Sequence, residues 1–162
     1  MSNHFHLLLT SPEEEIGTVM RELLSSVTRT VNLESGRTGH LFGGPYKASL
    51  IGDAGYYATV LKYVYRNPIK AKVCERVEDY PFSTLRYPLG LERMDIPLFH
   101  PLEGYGDGLL PDDPILLTAW LNEPPPSEVD GMVRAALGKK VFEPMKDRFS
   151  RQRARFTDSR PV

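Results

Sequence analysis

Two hydrophobic periods run along this chain, and each predicts a different kind of element. In residues 1–10 two histidines flank one aromatic at the head of an apolar run, which predicts a strand, and successive side chains of a strand point to opposite faces. His4 and His6 therefore share one face of this strand. The other face carries the apolar side chains Phe5, Leu7 and Leu9. A second strand is predicted at 48–51, where an apolar run follows a glycine-rich loop.

Helical spacing predicts two long helices. The first starts after Ser11-Pro12, an N-cap serine followed by a proline suited to the first turn, and it ends at Gly36. The second starts at Gly52-Asp53 and ends at Asn67, because Pro68 cannot donate the next backbone hydrogen bond. Their apolar stripes comprise Ile16, Val19, Met20, Leu23, Leu24 and Val27 in the first helix, and Tyr57, Val60, Leu61 and Val64 in the second.

Length and hydrophobic content predict one domain with appendages. With 162 residues, 41% of them hydrophobic, the chain can bury one core. We expect a main domain over 1–90 and a Pro- and Gly-rich linker over 91–126 that includes a short helix at 115–121. A C-terminal helical segment is expected over 127–162, with a helix at 127–138 and a basic tail.

Composition narrows the setting. A single cysteine, Cys74, excludes an intramolecular disulfide and a Cys-rich zinc site, which fits a reducing cytoplasm. Since no apolar run reaches the roughly 18 residues of a membrane span, we expect a cytoplasmic protein without a membrane partner.

Charge is neutral overall but clustered locally. A net charge of −1 gives no global field for a polyanion, so a nucleic-acid surface would have to come from clustered Lys and Arg. Residues 62–76 hold such a cluster, opposed by one acid, Glu75. Its cations are Lys62, Arg66, Lys70, Lys72 and Arg76. A solvated helix face is the simpler interpretation of this cluster on its own.

Two pairs of residues carry candidate chemistry. On a strand, His4 and His6 lie roughly 6.5–7 Å apart along the backbone, a span that two converging imidazoles can close around one metal ion. Most His-x-His pairs are nevertheless surface or otherwise satisfied polar residues. Tyr63 and Asn67 are four residues apart, so a helix places one above the other.

Four motifs, taken together in their order along the chain, resemble a known family, whereas no single motif would be specific. They are residues 1–8 with the sequence Asn3-His4-Phe5-His6, residues 39–47, Tyr63 to Ala71, and Glu78 to Thr84. In order and spacing this set resembles the REP-associated tyrosine transposases, the single-tyrosine HUH transposases named for a His-hydrophobe-His motif. The resemblance covers about the first ninety residues.

The resemblance implies an α+β fold in which helices pack on an antiparallel sheet, ferredoxin-like in topology. Because the chain begins inside the first motif, we expect the sheet to lack the family's first strand-helix-strand, so that 1–90 is a truncated catalytic domain. It also implies a homodimer.

The implied activity is DNA strand transfer on single-stranded or hairpin DNA. Tyr63 matches the nucleophile, and His4, His6 and Asn67 match the ligands of a divalent metal, Mg²⁺ or Mn²⁺. Two imidazoles alone would equally suit zinc. The expected DNA-binding residues are Lys47, Lys62, Arg66, Lys70 and Arg29.

Two other functions stay open. The chain departs from the family pattern at Gly43-Gly44-Pro45, where a Gln-Gly-Arg is common, and at Tyr65, which replaces a frequent histidine. A non-catalytic DNA-binding remnant would bind DNA in a salt-sensitive way without cutting it. A small metal-dependent hydrolase would use the histidines with water as nucleophile, and Tyr63→Phe would then leave its activity intact.

Overall fold

The computed structural model describes residues 4–10, 15–52, 54–93, 110–137 and 139–141. Helices dominate this part of the chain. Its α-helices are α1 (Ile16–Ser35), α2 (Ala54–Lys70), α3 (Pro114–Asn122) and α4 (Ser127–Ala136), with short 3-10 helices at Val77–Asp79 and Thr84–Arg86. The chain divides into two compact units, one formed by Leu8–Ala48 and the other by Met1–Leu7 together with Ser49–Val162.

The helix α1 forms the body of the unit Leu8–Ala48, as its apolar spacing predicts. It ends as predicted at Gly36, which adopts the left-handed conformation (φ 63°) and donates its N–H to the carbonyl of Asn32. The Asn32 side chain in turn donates to the carbonyl of Gly39 at 2.9 Å and holds the following turn. The predicted cap at Ser11 lies outside the described residues, and the described helix begins after Glu15.

In the other unit, α2 is the central element. The helices α3 and α4 and the 3-10 helix Val77–Asp79 all pack against it. Buried apolar side chains come from each of these elements and from the 3-10 helix Thr84–Arg86. They include Tyr57, Ala58, Val60, Leu61, Val77, Leu85, Trp120, Leu121, Val133 and Ala136. The two shorter helices predicted at 115–121 and 127–138 are thereby confirmed as α3 and α4, and both contribute to the same core as α2.

The end of α2 differs from the prediction. The helix does not stop before Pro68 but continues to Lys70. It closes with the N–H of Lys72 bonded to the carbonyl of Ile69 and the N–H of Val73 bonded to that of Pro68, each at 2.9 Å, while Lys72 takes the left-handed conformation (φ 56°). This paired closure satisfies the last carbonyls. Because Pro68 lies one turn from the end, its missing N–H costs the helix a single bond.

The predicted α+β fold with an antiparallel sheet is wrong for the part of the chain that the structure describes. No strand or sheet occurs there: residues 4–10 form no ladder, and 48–51 contributes one isolated bridge between Leu50 and Val141. Alternation of apolar residues indicates which side chains share a face, but a strand also needs a hydrogen-bonded neighbour. Here the hydroxyl of Ser49 instead lies 3.0 and 2.6 Å from the carbonyl oxygens of Leu137 and Lys139.

Within the described ranges, every helix is too short or too polar to cross a bilayer.

Candidate functional site

One stripe of α2 carries the predicted nucleophile. Tyr63, Asn67 and Lys70 follow one another at i, i+4 and i+7, so the helix places them on one side over two turns. Tyr63 is 7% exposed and Asn67 8% exposed, so both lie inside the unit rather than on its rim. The stripe is thus a buried polar row on an otherwise well-packed helix.

The opening segment brings its histidines to this stripe. The ring centroids of His4 and His6 lie 5.2 Å apart, and the rings of His6 and Tyr63 form a T-shaped contact at 5.9 Å between centroids. His6 is half-buried, and that burial lowers the pKa of its imidazole, with the nearby His4 adding to the effect. A histidine with a lowered pKa favours the neutral form, which is the form that binds metal ions.

Asn67 has an unusual environment for an amide. Its Nδ2 atom is fully buried, yet it has no hydrogen-bond partner among the described residues. A buried amide group without a partner costs free energy, and such groups in folded proteins call for an explanation. A ligand or ion at this position would supply one, because rotation of the amide presents its oxygen instead of its nitrogen.

Lys70 contacts both Tyr63 and the helix α4. Its Nζ atom sits 4.3 Å from the centre of the Tyr63 ring, within the range of a cation–π contact. The same atom forms an ion pair with Oδ1 of Asp130, on α4, at 2.5 Å. The ammonium group therefore links the candidate nucleophile to an element that lies some sixty positions further along the chain.

The metal site stays a prediction from the resemblance. The ring centroids of His4 and His6 lie 5.2 Å apart, so the two imidazoles are neighbours. In the described ranges, three or more His, Cys, Asp or Glu side chains do not cluster in a way that could hold a metal. The ligands that the resemblance implies are these two imidazoles and the amide of Asn67, a set of nitrogen and oxygen donors.

Two of the predicted DNA-binding residues are turned towards α3 instead. Lys62 is 4% exposed, and its Nζ atom lies over the Trp120 ring at 4.6 Å. Arg66 is 8% exposed, and its Nη1 atom donates to the carbonyls of Leu121 and Asn122 at 2.9 and 2.5 Å. These contacts cap the C-terminal end of α3, where the carbonyls of a helix attract cations.

Two further predicted DNA-binding residues, Arg29 and Lys47, are exposed and belong to the unit Leu8–Ala48. Arg29 lies on the polar side of α1, where it borders an open pocket whose other lining residues are Arg21, Glu22, Ser25 and Ser26. The lining offers two guanidinium groups and two hydroxyls for a phosphate, opposed by the one carboxylate of Glu22.

Sequence reasoning missed Asp130. The seven-residue spacing of Tyr63 and Lys70 was a readable signal, because it puts both on one helix face. No local pattern connects Asp130 to that face, since the contact depends on how α4 packs against α2. From the sequence alone, Asp130 could be identified only as an acid in the first turn of a predicted helix.

Comparison with known proteins adds no assignment: no protein-family model, curated protein or solved structure matches this chain.

Proposed function

We propose that this chain is a DNA strand transferase of the REP-associated tyrosine transposase kind, which acts on single-stranded or hairpin DNA through a tyrosine nucleophile and a divalent metal. One observation carries the proposal: the His6 and Tyr63 rings lie 5.9 Å apart between centroids in a T-shaped contact, and the His4 ring lies 5.2 Å from that of His6. The motif order along the sequence supports the same activity.

The chemistry assigns a role to each residue of the site. The Tyr63 oxygen forms a bond to the scissile phosphorus and gives up its proton, while the bond from phosphorus to the 3′ oxygen breaks. That oxygen takes a proton and leaves as a 3′ hydroxyl, and the DNA stays joined to Tyr63 through its 5′ phosphate. His4, His6 and Asn67 would hold Mg²⁺ or Mn²⁺, which supplies charge to polarise the phosphate.

The cations divide into three groups in this proposal. Lys70, whose Nζ atom lies 4.3 Å from the centre of the Tyr63 ring, is assigned to the reacting phosphate. The exposed Arg29 and Lys47 are assigned to phosphates elsewhere along the DNA. Lys62 and Arg66 are assigned to the packing of α3, because their polar groups already contact Trp120 and the last carbonyls of that helix.

Two further expectations belong to the proposal. We expect a homodimer, and the supporting feature is the stripe Val19, Leu23 and Val27 on α1, which is 49%, 38% and 36% exposed. We also expect a cytoplasmic location, in keeping with the single cysteine.

The direct test uses a labelled single-stranded hairpin oligonucleotide with Mn²⁺. The wild-type protein is expected to yield a protein-linked DNA band on a denaturing gel, and Tyr63→Phe is expected to abolish it. Tyr65→Phe is the matched control, since Tyr65 lies on the same helix but directs its hydroxyl to Thr84 at 3.1 Å. His6→Ala should lose the band as well, because it removes one of the proposed metal ligands.

Other outcomes would replace the proposal. Salt-sensitive DNA binding without a linked band, in wild type and variant alike, would indicate a binding remnant whose tyrosine stays buried. Mn²⁺-dependent cleavage that persists in Tyr63→Phe would indicate a metal-dependent hydrolase that uses water.

A further inference from the structure

We propose that Asp130 of α4 is a positioning residue for Tyr63 and that it acts through Lys70. The role of Asp130 in strand transfer rests on the proposed function, whereas the contact itself does not. The motifs are confined to the first ninety residues, and this proposal adds a residue from beyond them. It makes α4 part of the site.

The geometry is a chain of three groups. One oxygen of the Asp130 carboxylate is 2.5 Å from the Lys70 ammonium. The same ammonium is 4.3 Å from the centre of the Tyr63 ring. A carboxylate on α4 is thus joined to the face of an aromatic ring on α2 by one lysine.

Lys70 needs such an anchor. A lysine has four rotatable bonds in its stem, so without a fixed partner its ammonium would sample many positions. Its side chain is only 21% exposed, and a charge so withdrawn from water requires an opposite charge close by. Asp130, at 37% exposure of its side chain, supplies that charge.

Both partners are placed favourably by their helices. Lys70 lies in the last turn of α2, where the helix dipole favours a cation. Asp130 lies in the first turn of α4, where the dipole favours an acid. Its charge also reaches Arg66, where it opposes the lowering of the arginine pKa that burial causes. One carboxylate thereby serves two cations of α2.

The consequence for Tyr63 is a fixed orientation. A cation held over one face of the ring restricts how the ring can turn, while the His6 ring adds a T-shaped contact. A reacting oxygen must be held within a fraction of an ångström to reach phosphorus efficiently, so the loss of this constraint should slow the reaction more than it weakens DNA binding.

The contact is tested by NMR on the full chain. The methylene protons next to the Lys70 nitrogen should be shifted upfield by the Tyr63 ring, and Asp130→Asn should move them most of the way back to the values of a free lysine. Glu128→Gln is the matched control, because it removes an exposed acid from the same turn of α4. The Lys62 methylenes, which lie over Trp120, should not move in either variant and serve as an internal reference.

The catalytic role is tested by the rate of adduct formation on the hairpin oligonucleotide. Asp130→Asn is expected to lower kcat by roughly ten- to a hundredfold, with the KM for DNA within about a factor of two. Asp130→Glu should restore most of the rate. A merely structural loss would not be rescued in this way and would not leave KM in place.

The outcomes separate the two proposals. An unchanged Lys70 shift in Asp130→Asn overturns the positioning role. Should that variant not fold, Lys70→Met replaces it, and unchanged Tyr63 ring resonances would overturn the role equally. A Lys70 shift lost in Asp130→Asn, combined with no adduct in the wild type, supports the contact and contradicts strand transfer.

Discussion

At the scale of single residues, three cations that look alike in the sequence have three different environments. Lys62, Arg66 and Lys70 follow each other at four-residue steps on α2. Lys62 lies over Trp120, Arg66 caps α3, and Lys70 joins Tyr63 to Asp130. The sequence predicted a basic cluster, but the partners come from helices fifty to sixty positions away, and only packing decides which cation meets which partner.

Glu78 gives a prediction at this scale. Burial alone would raise the pKa of its carboxyl group, but the hydrogen bond from Asn122 (2.9 Å), a backbone bond and the contact with Arg76 (2.5 Å) outweigh burial and lower it. Because the folded pKa lies below the unfolded value, this stabilisation is complete above about pH 4.5 and is lost as the pH falls through the folded pKa. Glu78→Gln should therefore destabilise the protein at pH 7 and much less at pH 3.

Urea unfolding at both pH values measures this difference. The exposed Glu75→Gln serves as the control and should change little at either pH. Equal destabilisation by Glu78→Gln at pH 7 and pH 3 would contradict the role given to the ionised carboxylate.

At the scale of elements, the sequence predicted helices better than strands, because a strand must pair with a distant segment. The sequence placed α1, α3 and α4 correctly, because apolar spacing and the glycine at position 36 act within a few residues. It failed at the described residues 4–10 and at 48–51, where a strand depends on a distant neighbour. It also stopped α2 too early, because the closure through Ile69 and Val73 accommodates Pro68 near the end.

The end of α1 provides a prediction for an element. Gly36→Ala should destabilise the unit Leu8–Ala48 by about 1 kcal/mol, since a Cβ is strained at a φ of 63° although the space around it is open. Gly43→Ala is the control, with equally open space and no left-handed conformation, and should be close to neutral. Chemical denaturation monitored by helical circular dichroism measures both, and equal effects would contradict the capping role.

At the scale of the whole molecule, the exposed apolar surface of α1 is the feature that bears on association with a second copy of the chain. The stripe Val19, Leu23 and Val27 repeats every four residues along α1 and is at least 36% exposed at each position. Under the homodimer proposal, Leu23→Asp should shift the protein towards monomer, because a charge in a buried apolar contact is costly.

Light scattering across a range of concentrations measures that shift. Ser25→Asp adds the same charge on the polar side of the helix and should leave the mass unchanged. A wild-type protein that is monomeric at every concentration would contradict self-association.

The proximity of some candidate residues was predictable from the motifs. His4, His6 and Tyr63 were expected to act together, and the ring centroids lie 5.2 Å apart for His4 and His6 and 5.9 Å apart for His6 and Tyr63. Asp130 was not expected, because its contact with Lys70 arises from the packing of α4 on α2.

The most direct measurement of the central claim identifies the residue that becomes linked to DNA. After reaction with the hairpin oligonucleotide and Mn²⁺, nuclease and trypsin digestion should leave a nucleotide on the peptide Tyr63-Val64-Tyr65-Arg66. This peptide holds two tyrosines, so fragmentation in the mass spectrometer must locate the added mass. Strand transfer by the proposed mechanism places it on Tyr63. A nucleotide on Tyr65 or on any other residue, or cut DNA without a linked peptide, would contradict the mechanism.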